Sequence, residues 1–316
     1  MIRTFLSTLA LTAALALGGA PAMARDSLTV LLDWFVNPDH GPLVVALEKG
    51  MFKEAGLDVF MIEPADPSLP PKLVAAGKAE LAISYQPQLH MLVGEGLPLV
   101  RIATLVATPL NSLVVLRDGP VGTIADLKGR KVGYSVGGFE DALLGRMLET
   151  HGLTLKDVEL VNVNFSLSPS LMSGQVDAVI GAFRNFELNQ MDIEKRPGRA
   201  FYPEEEGVPA YDELVVVTHR DLAKSPAVRK FVAVLEAATQ YIVNHPDEAW
   251  EIFRNSAPKK LDDELNRRAW RDTVARFALR PAALDRGRYD RFGAFLQQRG
   301  LVRKLPKLES YAIEVE

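Results

Sequence analysis

Short apolar runs alternate with amphipathic stretches from residue 28 onward. Leu28-Thr29-Val30-Leu31-Leu32 is β-branched and apolar, the composition of a buried strand. A polar loop follows over 33–41. Residues 43–54 place Leu43, Ala46, Leu47, Gly50 and Met51 on one helical face, and Gly56 ends that helix. Residues 57–63 predict a second strand, 70–76 a helix stopped by Gly77, and 80–84 a third strand.

The same order recurs further along. Residues 131–134 predict a strand, 135–141 a loop, 142–150 a helix ended by Gly152, 158–162 a strand, 168–172 a short helix ended near Gly174, and 177–180 a strand. Gly56-Leu57 matches Gly152-Leu153. Gly77-Lys78-Ala79-Glu80-Leu81-Ala82-Ile83 matches Gly174-Gln175-Val176-Asp177-Ala178-Val179-Ile180. Two long β-α-β-α-β units, unlike the many short repeats of a solenoid, predict two similar α/β lobes. The strand-like segments 111–116 and 213–218 are expected to carry the chain between them. That places 25–111 and 218–316 in lobe 1 and 112–217 in lobe 2. Helices are expected over 226–245, 246–255, 261–277 and 289–299, with start signals such as Ser225-Pro226 and Asp262.

In an open α/β sheet the ligand crevice lies beyond the carboxyl ends of the strands. Here that means the loops 33–41, 85–88, 135–141 and 182–187, and two facing lobes bring them together. Trp34, Tyr85, Phe139, Phe183 and Phe186 offer ring faces. Asn37, Gln86, Ser135, Asn185 and Glu187 offer hydrogen bonds, and Glu187 can accept from the amino edge of an aminopyrimidine. Amides around Gly137 and Gly138, ahead of a helix, can meet a carbonyl or anion. Each residue also has a purely structural reading: Trp34 and Phe186 as packing, Asp33 and His40 as loop braces, Gly137-Gly138 as a turn. Several such loops coincide, and that coincidence points to hinge closure around a flat polar ligand.

Composition narrows the setting. Arg3, the apolar stretch 5–17 and Ala22-Met23-Ala24 form the pattern of a cleaved secretory signal, expected over residues 1–24. The absence of cysteine excludes a disulfide framework, a thiolate metal site and a lipidated anchor. Export without an anchor points to a Gram-negative periplasm. A net charge of −4 argues against a nucleic-acid partner. The charge runs 204–206 and 262–264 read as solvated surface.

Asp33-Trp34-x-x-Asn37-x-x-His40-Gly41 resembles the opening motif of a family that contains bacterial thiamin-pyrimidine-precursor binding proteins and fungal thiamin pyrimidine synthases. The likeness continues through residues 45–59, Glu63-Pro64, 77–83, 127–134, Tyr211-Asp212-Glu213-Leu214 and Pro246-Asp247-Glu248-Ala249-Trp250. The resemblance implies the two-lobed periplasmic binding protein fold (α/β, type II-like, with two chain crossings). It implies a pyrimidine held between aromatic rings by Trp34, Asn37, His40, Tyr85 and Glu187. Arg184 departs from the family pattern, and an arginine beside the cleft would favour a ligand with an extra carbonyl or anion.

The resembling fungal synthases carry a lysine for pyridoxal phosphate just after the third strand. The corresponding stretch here is Ile83-Ser84-Tyr85-Gln86-Pro87-Gln88-Leu89-His90, without a lysine, so no Schiff base can form there. No Gly-x-Ser-x-Gly, His-Glu-x-x-His or phosphate-loop motif occurs. The expected role is the substrate-binding component of an ABC importer, monomeric and without cofactor or metal, delivering a thiamin pyrimidine precursor to an inner-membrane permease. Riboflavin, a sulfonate, a sensory role or a synthase-like enzyme are the alternatives.

Overall fold

A computed structural model describes residues 25–315; the signal sequence expected over 1–24 lies outside them. Ten strands form two five-stranded sheets. They are β1 (Asp26–Leu31), β2 (Leu57–Ile62), β3 (Leu81–Ser84), β4 (Leu99–Val106), β5 (Asn111–Leu116), β6 (Lys131–Tyr134), β7 (Glu159–Asn162), β8 (Ala178–Phe183), β9 (Gly198–Phe201) and β10 (Leu214–His219). The first sheet runs β2-β1-β3-β10-β4 and the second β7-β6-β8-β5-β9.

The two orders are the same pattern written twice. β1 is parallel to β2 and β3, as β6 is to β7 and β8. The fourth place in each sheet is taken by the first strand to arrive after a crossing: β10 lies antiparallel between β3 and β4, and β5 antiparallel between β8 and β9. The chain leaves the first sheet after Val106, enters the second at Asn111, and returns between Phe201 and Leu214. The expected second boundary at 217/218 therefore cuts through β10. All of β10 belongs with lobe 1, because its residues fill the ladder between β3 and β4.

Sequence patterns placed eight of the ten strands, all but β4 and β9. They missed β4, whose side chains are buried throughout, because a strand covered on both faces shows no alternation. β4 also carries Arg101, fully buried among the carbonyls of Pro281, Ala282, Ala283 and Ile313. The predicted helix 43–54 breaks into Gly41–Glu48 and Met51–Glu54 at Gly50, whose φ of 73° is left-handed.

The crossings are tied to each other. Glu213 Oε2 accepts from the amides of Leu110 (2.6 Å) and Asn111 (2.8 Å). Arg184 donates to the carbonyls of Leu110 and Asn111 and to both oxygens of Glu204, and it stacks on Tyr202. Arg184 thus braces the first crossing and does not line the cleft, and the reading of it as a ligand contact is withdrawn. Glu204 is its partner rather than idle surface charge.

Removing the Glu213 carboxyl leaves two buried amides without acceptors. Glu213→Ala is expected to cost about 2–4 kcal/mol of unfolding free energy, and Glu213→Gln, which keeps an acceptor, less than half of that. Urea denaturation of both variants measures the difference.

Candidate functional site

The carboxyl ends of β1, β3, β6 and β8 all open on the space between the sheets. Asp33 and Trp34 follow β1. Asn37 caps the 3₁₀ turn Pro38–His40, its side chain accepting from the Asp39 amide at 2.8 Å, while His40 Nδ1 accepts from the Asn37 amide. That leaves His40 Nε2 protonated to donate to Asp33 Oδ1 at 2.9 Å. Tyr85, directly after β3, donates its hydroxyl to Asp33 Oδ2 at 2.9 Å. Burial, then the Asp33 charge, holds the Tyr85 phenol well above its ordinary range. Asp33 thereby orients both a ring that faces the cleft and the loop that carries Trp34 and Asn37.

Lobe 2 presents two glutamates in the same manner. Glu140, on the helix Phe139–Thr150, accepts the amides of Ser135 (2.8 Å) and Val136 (3.1 Å) at Oε2. Glu187, at the start of the helix Glu187–Ile193, accepts the Phe183 amide at Oε2, 2.7 Å away. Burial pushes each carboxyl up to about 8 against these amide bonds. Gly181 on β8 makes room for Glu140: it has φ of 102°, and a Cβ there would stand 2.5 Å from Glu140 Oε1.

The lobes meet around this space. Tyr85 stacks on Phe139 at 4.8 Å between centroids and meets Phe183 edge-on at 6.4 Å. Trp34 packs edge-on to Phe165 at 4.7 Å. Asn185 of lobe 2 donates to Asp39 Oδ1 and to Thr273 Oγ1 of lobe 1, both at 2.7 Å. Burial raises the Asp39 carboxyl to about 6, despite the nearby His40 and these hydrogen bonds. Arg299 of lobe 1 grips both oxygens of Glu149 in lobe 2. What remains between the lobes is a narrow cavity lined by Asp33, Trp34, Asn37, Asp39, Tyr85, Ser135, Val136, Glu140, Leu167, Gly181, Phe183, Phe186 and Glu187. Four carboxylates line it, and no lysine, arginine or histidine does.

Residues 37–249 match the family model described as NMT1/THI5 like. The chain belongs to the NMT1/THI5-like family. A protein of Haemophilus influenzae named for thiamine biosynthesis is 54% identical over 296 residues, 94% of each chain. The formylaminopyrimidine-binding protein of Halalkalibacterium halodurans is 35% identical over 232 residues, 73% of this chain and 70% of that one. Among solved structures, the alkanesulfonate-binding protein of Xanthomonas axonopodis pv. citri superposes with a TM-score of 0.70 at 16% identity, covering 93% of this chain and 98% of that one. The two-lobed α/β architecture is therefore that of the periplasmic binding proteins. No helix among the described residues is long and apolar enough to cross a membrane.

The expected site residues divide by position. Trp34, Asn37, Tyr85, Ser135, Phe183 and Glu187 line the cavity. His40 is fully buried behind Asp33, as its bracing role requires. Gln86 lies behind the site, accepting from the Asp212 amide, and serves the second crossing. Phe139 is buried under Tyr85 and backs its ring instead of meeting a ligand. Asn185 latches the lobes. Gly137 and Gly138 make the turn into the helix, and three amides around them are already used: those of Ser135 and Val136 on Glu140, that of Gly138 on Asp141. Phe186, for which the sequence supports both a stacking and a packing reading, lines the cavity, as do Asp39 and Glu140. Asp39 sits inside the opening motif. Glu140 carried no signal, since a glutamate in the first helical turn ordinarily serves the helix dipole.

Carboxyls held above their unfolded values near 4.5 bind more protons in the folded state. Their contribution is complete below that value and is lost as pH rises through about 8. The ligand-free protein is therefore expected to lose melting temperature between about pH 5 and pH 8, and Glu140→Gln with Glu187→Gln to flatten that slope. Scanning calorimetry across this window tests it; an equal slope in the double variant would refute the assignment.

Proposed function

We propose that this chain captures a thiamin pyrimidine precursor in its interlobe cleft, closes on it, and delivers it to an ABC permease in the inner membrane. The observation that carries this reading is a cavity with aromatic rings on its walls and carboxylates in its depth. Trp34, Tyr85, Phe183 and Phe186 supply faces for a flat ring, each aromatic pair contributing roughly 0.5–1.5 kcal/mol beyond burial. Glu187, with one oxygen anchored on the Phe183 amide, offers the other to the exocyclic amino group. The relative named as a formylaminopyrimidine-binding protein supports the same ligand class.

A sulfonate fits poorly here. Its anion would need amide or cationic donors, and the lining offers no cationic side chain, while the amides of Ser135, Val136 and Phe183 are already bonded to Glu140 and Glu187. We place the protein in the periplasm as a monomer, exported by the signal over residues 1–24.

Thermal unfolding with formylaminopyrimidine, hydroxymethylpyrimidine, thiamin, riboflavin and taurine tests the ligand class. A ligand at about a thousand times its Kd adds about 4 kcal/mol, a rise of several degrees. The rise is expected with a pyrimidine; one with riboflavin or taurine alone would discard this class. Glu187→Gln turns an acceptor into a donor and is expected to weaken pyrimidine binding by about 1.5–3 kcal/mol, roughly ten- to a hundredfold.

A further inference from the structure

Resting on the pyrimidine reading, the donor inventory of the cavity narrows its occupant. Tyr85 Oη donates to Asp33, and Ser135 Oγ to the carbonyl of Asn164. The amides of Ser135 and Val136 go to Glu140, that of Phe183 to Glu187, and that of Gly181 to Asn111 Oδ1. Asn37 spends one amide proton on the carbonyl of Phe35. Among the described residues, the Trp34 indole N–H and the second Asn37 proton are the lining side-chain donors left without an acceptor.

The acceptors show the opposite balance. Glu140 and Glu187 are 3% and 8% exposed. Each has one oxygen on backbone amides, and among the described residues no other residue donates to Glu140 Oε1 or Glu187 Oε1. Asp39 Oδ2 is buried without a partner. A ligand rich in acceptors finds few side-chain donors here, whereas N–H donors and positive charge find three buried carboxyls.

We propose that the cleft selects an aminopyrimidine bearing a cationic arm, the primary ammonium that remains when a formylaminopyrimidine loses its formyl group, with Glu187 on the ring's amino edge and Glu140 on the ammonium. A primary alkylamine carries its proton at neutral pH. Formylation removes that charge and presents a carbonyl to a wall of carboxyls. Charge-assisted hydrogen bonds are about twice as strong as neutral ones and gain further from a dry site. Gly181 is part of the device, since any side chain there would displace Glu140 Oε1. The ionisable neighbours of Glu140 are Asp141 on its own helix, Glu213 from the hinge and Tyr85 from lobe 1, none of which supplies a positive charge. A bound ammonium then takes the place of the proton that the buried Glu140 carboxyl holds, and that proton passes to the buffer.

Isothermal titration of the wild-type protein with three pyrimidines that share the 4-amino-2-methyl ring decides this. Their arms at C5 are aminomethyl, hydroxymethyl and formylaminomethyl. The aminomethyl compound is expected to bind at least about tenfold tighter than either neutral one, with a heat that changes with the ionisation enthalpy of the buffer. Glu140→Gln is expected to erase the preference. Equal or tighter binding of a neutral arm overturns the cationic selection and leaves the pyrimidine reading standing. No binding by any of the three overturns both. A preference that survives Glu140→Gln overturns the assignment of the arm to Glu140. Should that variant fail to fold, the wild-type ranking alone decides the selection.

Discussion

A carboxylate withdrawn from water must be met by donors or take up a proton, and four carboxylates come together where the two sheets face each other. Each is met differently. Asp33 is met by two donors, the Nε2–H of His40 and the hydroxyl of Tyr85. Asp39 is held by Asn185 and Thr273. Glu140 and Glu187 rest on backbone amides at the ends of β6 and β8. The amides at these strand ends, which in other clefts would grasp an anionic ligand, are consumed by the protein's own acids. The site is thereby left acidic and short of donors.

The same arrangement ties recognition to closure. Asp39 reaches across to Asn185, Tyr85 stacks on Phe139, and Arg299 clasps Glu149. These contacts join opposite lobes around the cavity that would hold the ligand. The crossings at Leu110–Asn111 and Asp212–Glu213 are pinned by Glu213, Arg184 and the Asp212–Arg288 pair. These bonds hold the two crossings side by side between the sheets.

Much of the site was legible because loop chemistry follows strand ends. Trp34, Asn37, Tyr85, Ser135, Phe183 and Glu187 each sit within a few residues of a strand that periodicity could find. Phe139 and Gln86 share that position, yet packing turned them inward, under Tyr85 and against Asp212. Arg184 shows the limit most clearly. Its place beside Phe183 marked it as a cleft residue, but β8 alternates its faces, so the neighbour of an inward ring points to the hinge. Glu140 was illegible for the complementary reason: only the left-handed turn at Gly181, on a different strand, opens the space its carboxyl fills.

The sequence by itself determined the repeated β-α-β-α-β halves, the α/β class and the family, since apolar periodicity, glycine stops and the Asp33–Gly41 motif are local. Tertiary structure alone decided which sheet receives β10, because a strand buried on both faces carries no mark of its neighbours. It also decided which polar groups face the ligand. Hydrogen-bond donors are recognisable in a sequence, but whether they remain free depends on acceptors brought to them from elsewhere in the fold.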